Sequence, residues 1–452
     1  MPKESPALVR ELGLRDVVLF NIAAVVGIRW LSTAAHIGPG SLTLWATAAI
    51  AFFIPLAHCV AGLHDRYPQE GGIYSWTGRS FGDWHGFLCG WLYWLSNLFY
   101  FPNLLIAGVG ISMFTLGARF AALSERPWIV LAGSLAVLWL ALGTNLVGWK
   151  VGKWTQNIGA MSTAAACLLL AGGATLVWLR IGSATRFDIV PRWDWATLNF
   201  WPQIAFAFGG LELTPIMSGE IRDARRTVRR AAWISAAAIG AFYIAGTVAL
   251  LVLMKPESIS IITGLAQAGA VAGAAIGSAW ISPVLAALIA LGILGQFGAW
   301  VGGSARLAFS IGLDRYLPAS FARLHPVWRT PYVALLVQGA LCTAFLLLMQ
   351  AGDTLRTAYQ LLVDMTVITY FIPFLYLFAA AWKHGQRWSG LAGTLVTVAG
   401  IAASFVPPDG VTSVWLFEVK LVVSCGVLIG AARIYFARSR RAIESERFAR
   451  LS

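Results

Sequence analysis

Long apolar runs, separated by short polar segments that carry arginine, repeat along almost the whole chain. A bilayer core takes about 20 apolar residues per spanning helix. Runs of that size fall near residues 17–37, 42–63, 85–114, 128–148, 157–179 and 199–218, and again near 231–254, 281–304, 332–350, 358–382, 389–406 and 414–436. The pattern predicts an all-α integral membrane protein of twelve transmembrane helices. It forms one domain over residues 16–436, with a polar tail at 1–15 and a basic tail at 437–452. Because Met1 to Arg15 is polar and leads straight into the first run, no cleavable leader is expected.

The stretch from Ser258 to Trp280 carries no charge and could be counted as a thirteenth span, so the placement of positive charge decides. With twelve spans and an inner N-terminus, 24 of the 33 Lys and Arg lie in inner segments, 7 in outer loops and 2 within spans. A thirteenth span would leave 13 inside and 18 outside, against the positive-inside rule. The Gly/Ala-rich stretch 262–279 is therefore expected outside, as an interfacial or re-entrant helix. Both termini are expected on the cytoplasmic side of the cell membrane. Arg438, Arg440, Arg441, Arg447 and Arg450 then anchor the C-terminal tail near anionic lipid.

Composition agrees. Hydrophobic residues make up 58% of the 452, charged residues 12%, and mean hydropathy is +0.72. Too few solubilising side chains remain for a soluble globule, a disordered chain or a coiled coil. The net charge of +13 falls between apolar runs, so its partner is the lipid bilayer and not nucleic acid. The five cysteines, all within apolar stretches, form neither a disulfide framework nor a metal spacing. No HExxH, Walker A, GxSxG or CxxC pattern is present, so neither an enzyme nor a metal or other cofactor is expected, and transport, if any, is secondary.

Two spans are interrupted. The first reads Asn21-Ile-Ala-Ala-Val25-Val26-Gly27-Ile-Arg29-Trp30, with an arginine at membrane depth. The sixth reads Phe206-Ala-Phe208-Gly209-Gly210-Leu-Glu212-Leu-Thr-Pro215. In hydrocarbon, non-helical backbone survives only where it lines a cavity, so these breaks point to a site. They also hold the first position in each set of five spans, the arrangement of an inverted-repeat secondary transporter. A break offers free N–H groups to a carboxylate and free carbonyls to an ammonium. Two facing breaks suit a zwitterion.

The loops carry further patterns: Leu63 through Arg66-Tyr67-Pro68-Gln-Glu70-Gly71-Gly72-Ile-Tyr74 with Ser80-Phe81-Gly82; Glu220-Ile-Arg222-Asp223-Ala-Arg225-Arg226 with Arg229-Arg230; and Arg306 through Gly312-Leu-Asp314-Arg315-Tyr-Leu-Pro318 with His325-Pro326 and Arg329-Thr330-Pro331. In this the chain resembles the amino acid, polyamine and organocation transporter superfamily, over about residues 16–436. The resemblance implies a five-plus-five inverted-repeat (LeuT-like) core with broken helices one and six plus two further helices, and an amino acid bound at the breaks. It places Gly27, Gly209 and Gly210 on unwound segments, Phe206 over the substrate, and Glu212 where some members couple protons. The run Val25-Val26-Gly27-Ile28-Arg29 departs from the family's Gly-x-Gly.

Arg29 requires a partner at that depth. It pairs with Glu212, reads a substrate carboxylate, or stands as a fixed charge where related folds hold sodium. Val25, Val26, Gly27, Arg29, Phe206, Phe208, Gly209 and Gly210 are the expected substrate-binding residues. Glu212 and Asp364 are the candidates for proton coupling, each with a purely structural alternative. His58 reads as a satisfied core histidine. Tyr93, Trp94, Asn97 and Tyr100 could line the pocket or simply pack. The expected activity is an amino acid permease, proton-coupled or exchanging and sodium-independent. The alternatives are a polyamine or glutamate-type antiporter, and a receptor or accessory subunit without flux. The outer loop near 115–127 lacks cysteine, so no disulfide-linked heavy chain is expected.

Overall fold

The backbone of each apolar run satisfies its own hydrogen bonds as helix, since lipid offers it no other partner. The computed structural model describes residues 10–69, 71–191, 197, 201, 204–261, 263–349, 355–406 and 413–449. Among these there is no β-strand, only an isolated parallel bridge between Leu12 and Ile221. The long helices are α1 (Leu14–Val25), α2 (Arg29–Ile37), α3 (Ser41–Arg66), α4 (Gly72–Phe81), α5 (Asp83–Ser112), α6 (Pro127–Leu146) and α7 (Trp149–Ile181). A short turn, α8 (Leu213–Ile216), precedes α9 (Ala224–Leu253), α10 (Gly264–Ile276), α11 (Ile281–Leu313), α12 (Tyr332–Met349), α13 (Leu355–Lys383), α14 (Arg387–Ala403) and α15 (Val414–Ala449). Among the described residues seven helices are long and apolar enough to cross a membrane, or eight if α1 and α2, bent by 49° at their junction, form one span. The molecule is a multi-pass, all-helical membrane protein.

Helices α5 and α11 are the most enclosed of these spans and α15 the least. Helix α11 packs against α7 and α5, and α1 rests on α9, α7 and α11. Helices α7 and α11 meet backbone to backbone, and a Cβ added to Gly159 would lie 2.5 Å from the Gly295 Cα. Small residues at such contacts let helices approach closely in lipid. Helix α3 widens into a π-turn at Ala49–Phe53 just before Pro55, whose ring has no N–H for the ladder. The uncharged stretch after α9 contains α10, whose 13 residues extend about 20 Å. That is too short to cross a bilayer core, in keeping with its exclusion from the spans.

Gly71 and Gly72, at φ 94° and 46°, turn the chain sharply ahead of α4. A side chain at Gly72 would strike the backbone of Pro215 and Ile216. The loop pattern after α3 thus seats against the end of α8.

Candidate functional site

The first break runs from Val26 to Ile28. Val26 leaves the helix in extended backbone at φ −73°, ψ 93°, so the last carbonyls of α1 find partners elsewhere. Ala24 O accepts the Trp300 indole N–H at 2.8 Å and the Gln296 amide at 3.2 Å. The Tyr243 hydroxyl shares its proton between Val25 O and Ala207 O, each at 2.8 Å, and accepts the Gly27 N–H at 3.1 Å. One phenol therefore joins the two breaks. Among the described residues the Ile28 N–H makes no hydrogen bond. It lies at the positive end of α2, a place suited to an anion.

The second break opens after the helical residues 204–206, runs through Ala207 to Glu212 and closes in α8. Gly210 sits at φ 130°, where a Cβ would lie 2.9 Å from the Val25 side chain. Its N–H donates to Glu212 Oε2 at 2.9 Å. The other carboxylate oxygen, Oε1, accepts from the Tyr93 hydroxyl at 2.8 Å and from the Tyr370 hydroxyl. Glu212 is fully buried, so these donors replace the water it has lost. Among the described residues no donor reaches the Phe208 or Gly209 carbonyls.

Beside the breaks lies a narrow cavity of about 150 Å³, lined by Ser96, Asn97, Tyr100, Phe206, Trp300 and Tyr370, with no room for a water molecule. Phe206 stands edge-on to Tyr370, Trp30 and Tyr100 at centroid distances of 4.9, 5.7 and 5.8 Å. Asn97 donates to Tyr93 O at 2.6 Å, while its own buried Oδ1 has no partner. An aromatic box with one orphan amide oxygen is chemically a site for a small donor-bearing solute.

The structure brings Val25, Val26, Gly27, Gly209, Gly210 and Glu212 together around the breaks, with Phe206 on the cavity wall. Phe208 faces the opposite way, stacked on Phe53 at 4.5 Å and edge-on to Trp45 and Tyr243. Arg29 begins α2 and Asp364 lies within α13; the side chains of both lie outside the described residues. His58 contacts Ser389 Oγ at 2.9 Å and stacks on Trp388, a satisfied histidine. Among the described residues no three His, Cys, Asp or Glu side chains gather as a metal site.

Toward the start of α5 and the end of α11 a second polar layer follows. Arg306 forms a buried pair with Glu220, its Nη2 at 2.9 Å, while Nη1 donates to Gly302 O at 2.9 Å and the guanidinium lies 4.6 Å over Trp149. The Glu220 carbonyl accepts the Glu11 and Leu12 N–H groups at 3.0 and 3.1 Å, and Arg222 N donates to Leu12 O at 2.9 Å. Tyr74 donates to Asp314 at 2.6 Å and Tyr316 to Asp83 at 2.8 Å. Burial and the neighbouring carboxylates push both phenols above their ordinary range, so both remain donors.

Sequence reading missed Tyr243, Gln296, Trp300 and Tyr370. Gln296 had a signal, as the lone amide in a long apolar run. The three aromatics had none, because a Trp or Tyr in a membrane helix is ordinarily packing or interface.

Against known proteins, the chain matches the amino acid permease family over residues 12–430. It is 26% identical over 436 residues to an uncharacterized transporter of Legionella pneumophila, covering 91% of this chain and 93% of that one. An uncharacterized transporter of Mycobacterium tuberculosis is 28% identical over 352 residues, 76% of this chain and 75% of its own. The serine/threonine exchanger of Bacillus subtilis is 23% identical over 458 residues, 98% and 99% of the two chains.

Proposed function

This chain belongs to the amino acid permease family, a family of transporters and not of enzymes, and from that premise we propose that it carries small neutral amino acids across the cytoplasmic membrane by alternating access. Transport is sodium-independent and runs as exchange or with a proton. The fold is twelve spans in a five-plus-five inverted repeat with two added helices, and both termini are cytoplasmic.

The observation that carries this reading is the pair of facing breaks tied by Tyr243 beside the small aromatic cavity. The substrate carboxylate meets the Ile28 N–H and the positive end of α2; its ammonium meets the Phe208 and Gly209 carbonyls. The cavity is closed even to water in this conformation, so the substrate enters when its aromatic wall parts; the small size of the pocket favours a short side chain, and Asn97 Oδ1 can accept from a hydroxyl. The name of the Bacillus relative points the same way.

Tyr93 lies one turn from Ser96 and Asn97 toward the start of α5, the end that follows the segment carrying Arg66 and Arg79, so the Tyr93–Glu212–Tyr370 cluster forms the cavity's cytoplasmic floor. The Glu220–Arg306 pair is a further barrier below it. With the cavity shut and this layer intact, the conformation is an occluded one, and release inward requires both layers to part.

Counterflow into sodium-free proteoliposomes loaded with serine tests the reading, using labelled neutral, acidic and basic amino acids and polyamines across pH. Uptake of serine, threonine or alanine is the expected result. Preference for glutamate, lost in Arg29→Ala, would replace it with carboxylate reading by Arg29; polyamine uptake would make the protein an amine antiporter. No flux from folded protein would leave an accessory or receptor role.

A further inference from the structure

Outside the substrate site, the strongest unexplained feature is at the start of α9. Arg225, Arg226, Arg229 and Arg230 occupy its first two turns, at the spacing that places them along one side. All four are exposed. The same exposed strip continues with Trp233 and Ile234, 41% and 49% exposed, and then with Ala237, Ala238 and Ala241. A cavity of about 910 Å³ opens beside it, with Leu14 of α1 and Asp65 of α3 in its wall.

The charges do not balance. Asp65 is shared between Arg225 at 3.8 Å and Arg229 at 3.5 Å. Among the described residues Arg226 and Arg230 have no ion-pair partner. Counting Asp223, which also lines the cavity, two positive charges remain uncompensated. They stand at the N-terminal end of a helix, where the backbone dipole is already positive. Four arginines there are the wrong sign for the helix and the right sign for an anion.

We propose that this groove binds one anionic phospholipid. Its phosphate sits between Arg226 and Arg230, its glycerol level at Trp233, and an acyl chain along Ile234 and the alanine strip. The order of side chains along α9, from guanidinium to indole to aliphatic to small, follows the depth order of a phospholipid. That order favours lipid over free phosphate, which has no use for the apolar half. The bound lipid would clamp α9 to α3 and α1, beside the first broken helix.

The test is lipid retention by native mass spectrometry after reconstitution in phosphatidylcholine vesicles containing phosphatidylglycerol. Wild type is expected to retain one phosphatidylglycerol, and the double variant Arg226→Ala, Arg230→Ala to retain at least fivefold less at an unchanged melting temperature. Arg438→Ala with Arg441→Ala removes the same charge elsewhere and is expected to retain it fully. Equal retention by the groove variant, equal loss in the tail variant, or full displacement by millimolar inorganic phosphate would each overturn the proposal. The readout is binding, so it stands or fails separately from the transported substrate.

Discussion

Tyr243 is the residue whose loss has the most defined consequence. Its hydroxyl serves Gly27 N, Val25 O and Ala207 O in a fully buried position. Tyr243→Phe leaves Ala207 O unpartnered among the described residues and removes the hydroxyl from Gly27 N and Val25 O, which keep only their bond to each other at 2.8 Å, at about 1–3 kcal/mol. The expected result is a lower melting temperature and transport reduced at least tenfold, with Trp45 still stacked on the ring. Retention of full transport would show that the breaks hold without it. Glu212→Gln tests proton coupling: the side chain keeps its shape, and transport is expected to lose its dependence on pH. An unchanged pH profile would reduce Glu212 to an anchor for Tyr93 and Tyr370. Outside the membrane, partial burial and then Arg66 and Lys383 hold the His384 imidazole below its ordinary range. The folded state therefore takes up this proton less readily than the unfolded one. Its contribution to stability is present above the ordinary histidine value and is lost as pH falls through it, so His384→Gln is expected to lessen destabilisation at mildly acid pH in a thermal scan.

The all-helical, multi-pass character was legible, because a run of about 20 apolar residues has one stable form in lipid, and seven or eight spans are found among the described residues. So were the interruptions at Gly27 and at Gly209-Gly210, since glycine and charge within such a run break its regularity. What joins the interruptions was not legible. Tyr243 lies 216 residues from Gly27, and Trp300 and Tyr370 come from other spans, so helical period carries no trace of their meeting. Phe208 shows the same limit: adjacent to the break in sequence, it packs on Phe53 and Trp45, because side chains two residues apart in near-helical backbone point to opposite sides. Gly210→Ala tests the break as an element. At φ 130° it imposes about 1–3 kcal/mol of strain and a clash with Val25. Loss of counterflow beyond what the fall in melting temperature explains is the expected outcome.

Over the whole molecule, polar layers succeed one another from the cavity to the arginine-rich face. Removing one partner of the buried Glu220–Arg306 pair leaves an uncompensated charge, costing about 3–5 kcal/mol. Arg306→Met should therefore lower the melting temperature more than the double variant with Glu220→Gln; the reverse order would mean that the pair contributes no such balance. The distribution of Lys and Arg predicts an orientation that labelling tests: in a variant otherwise free of cysteine, Ser445→Cys is expected to react with an impermeant maleimide only in inverted vesicles, and Ser278→Cys only in right-side-out ones.

The main-chain bonds from residues 11 and 12 to Glu220 have a practical corollary. They fasten the segment ahead of α1 to the residue whose carboxylate holds Arg306, closing a loop of chain around both interrupted helices. An affinity tag fused ahead of Arg10 is thus attached beside the Glu220–Arg306 pair and is expected to disturb it. One fused after the C-terminus hangs from α15, the least enclosed of the spans, and that is where purification handles and fluorescent reporters belong if kinetics are to reflect the untagged protein.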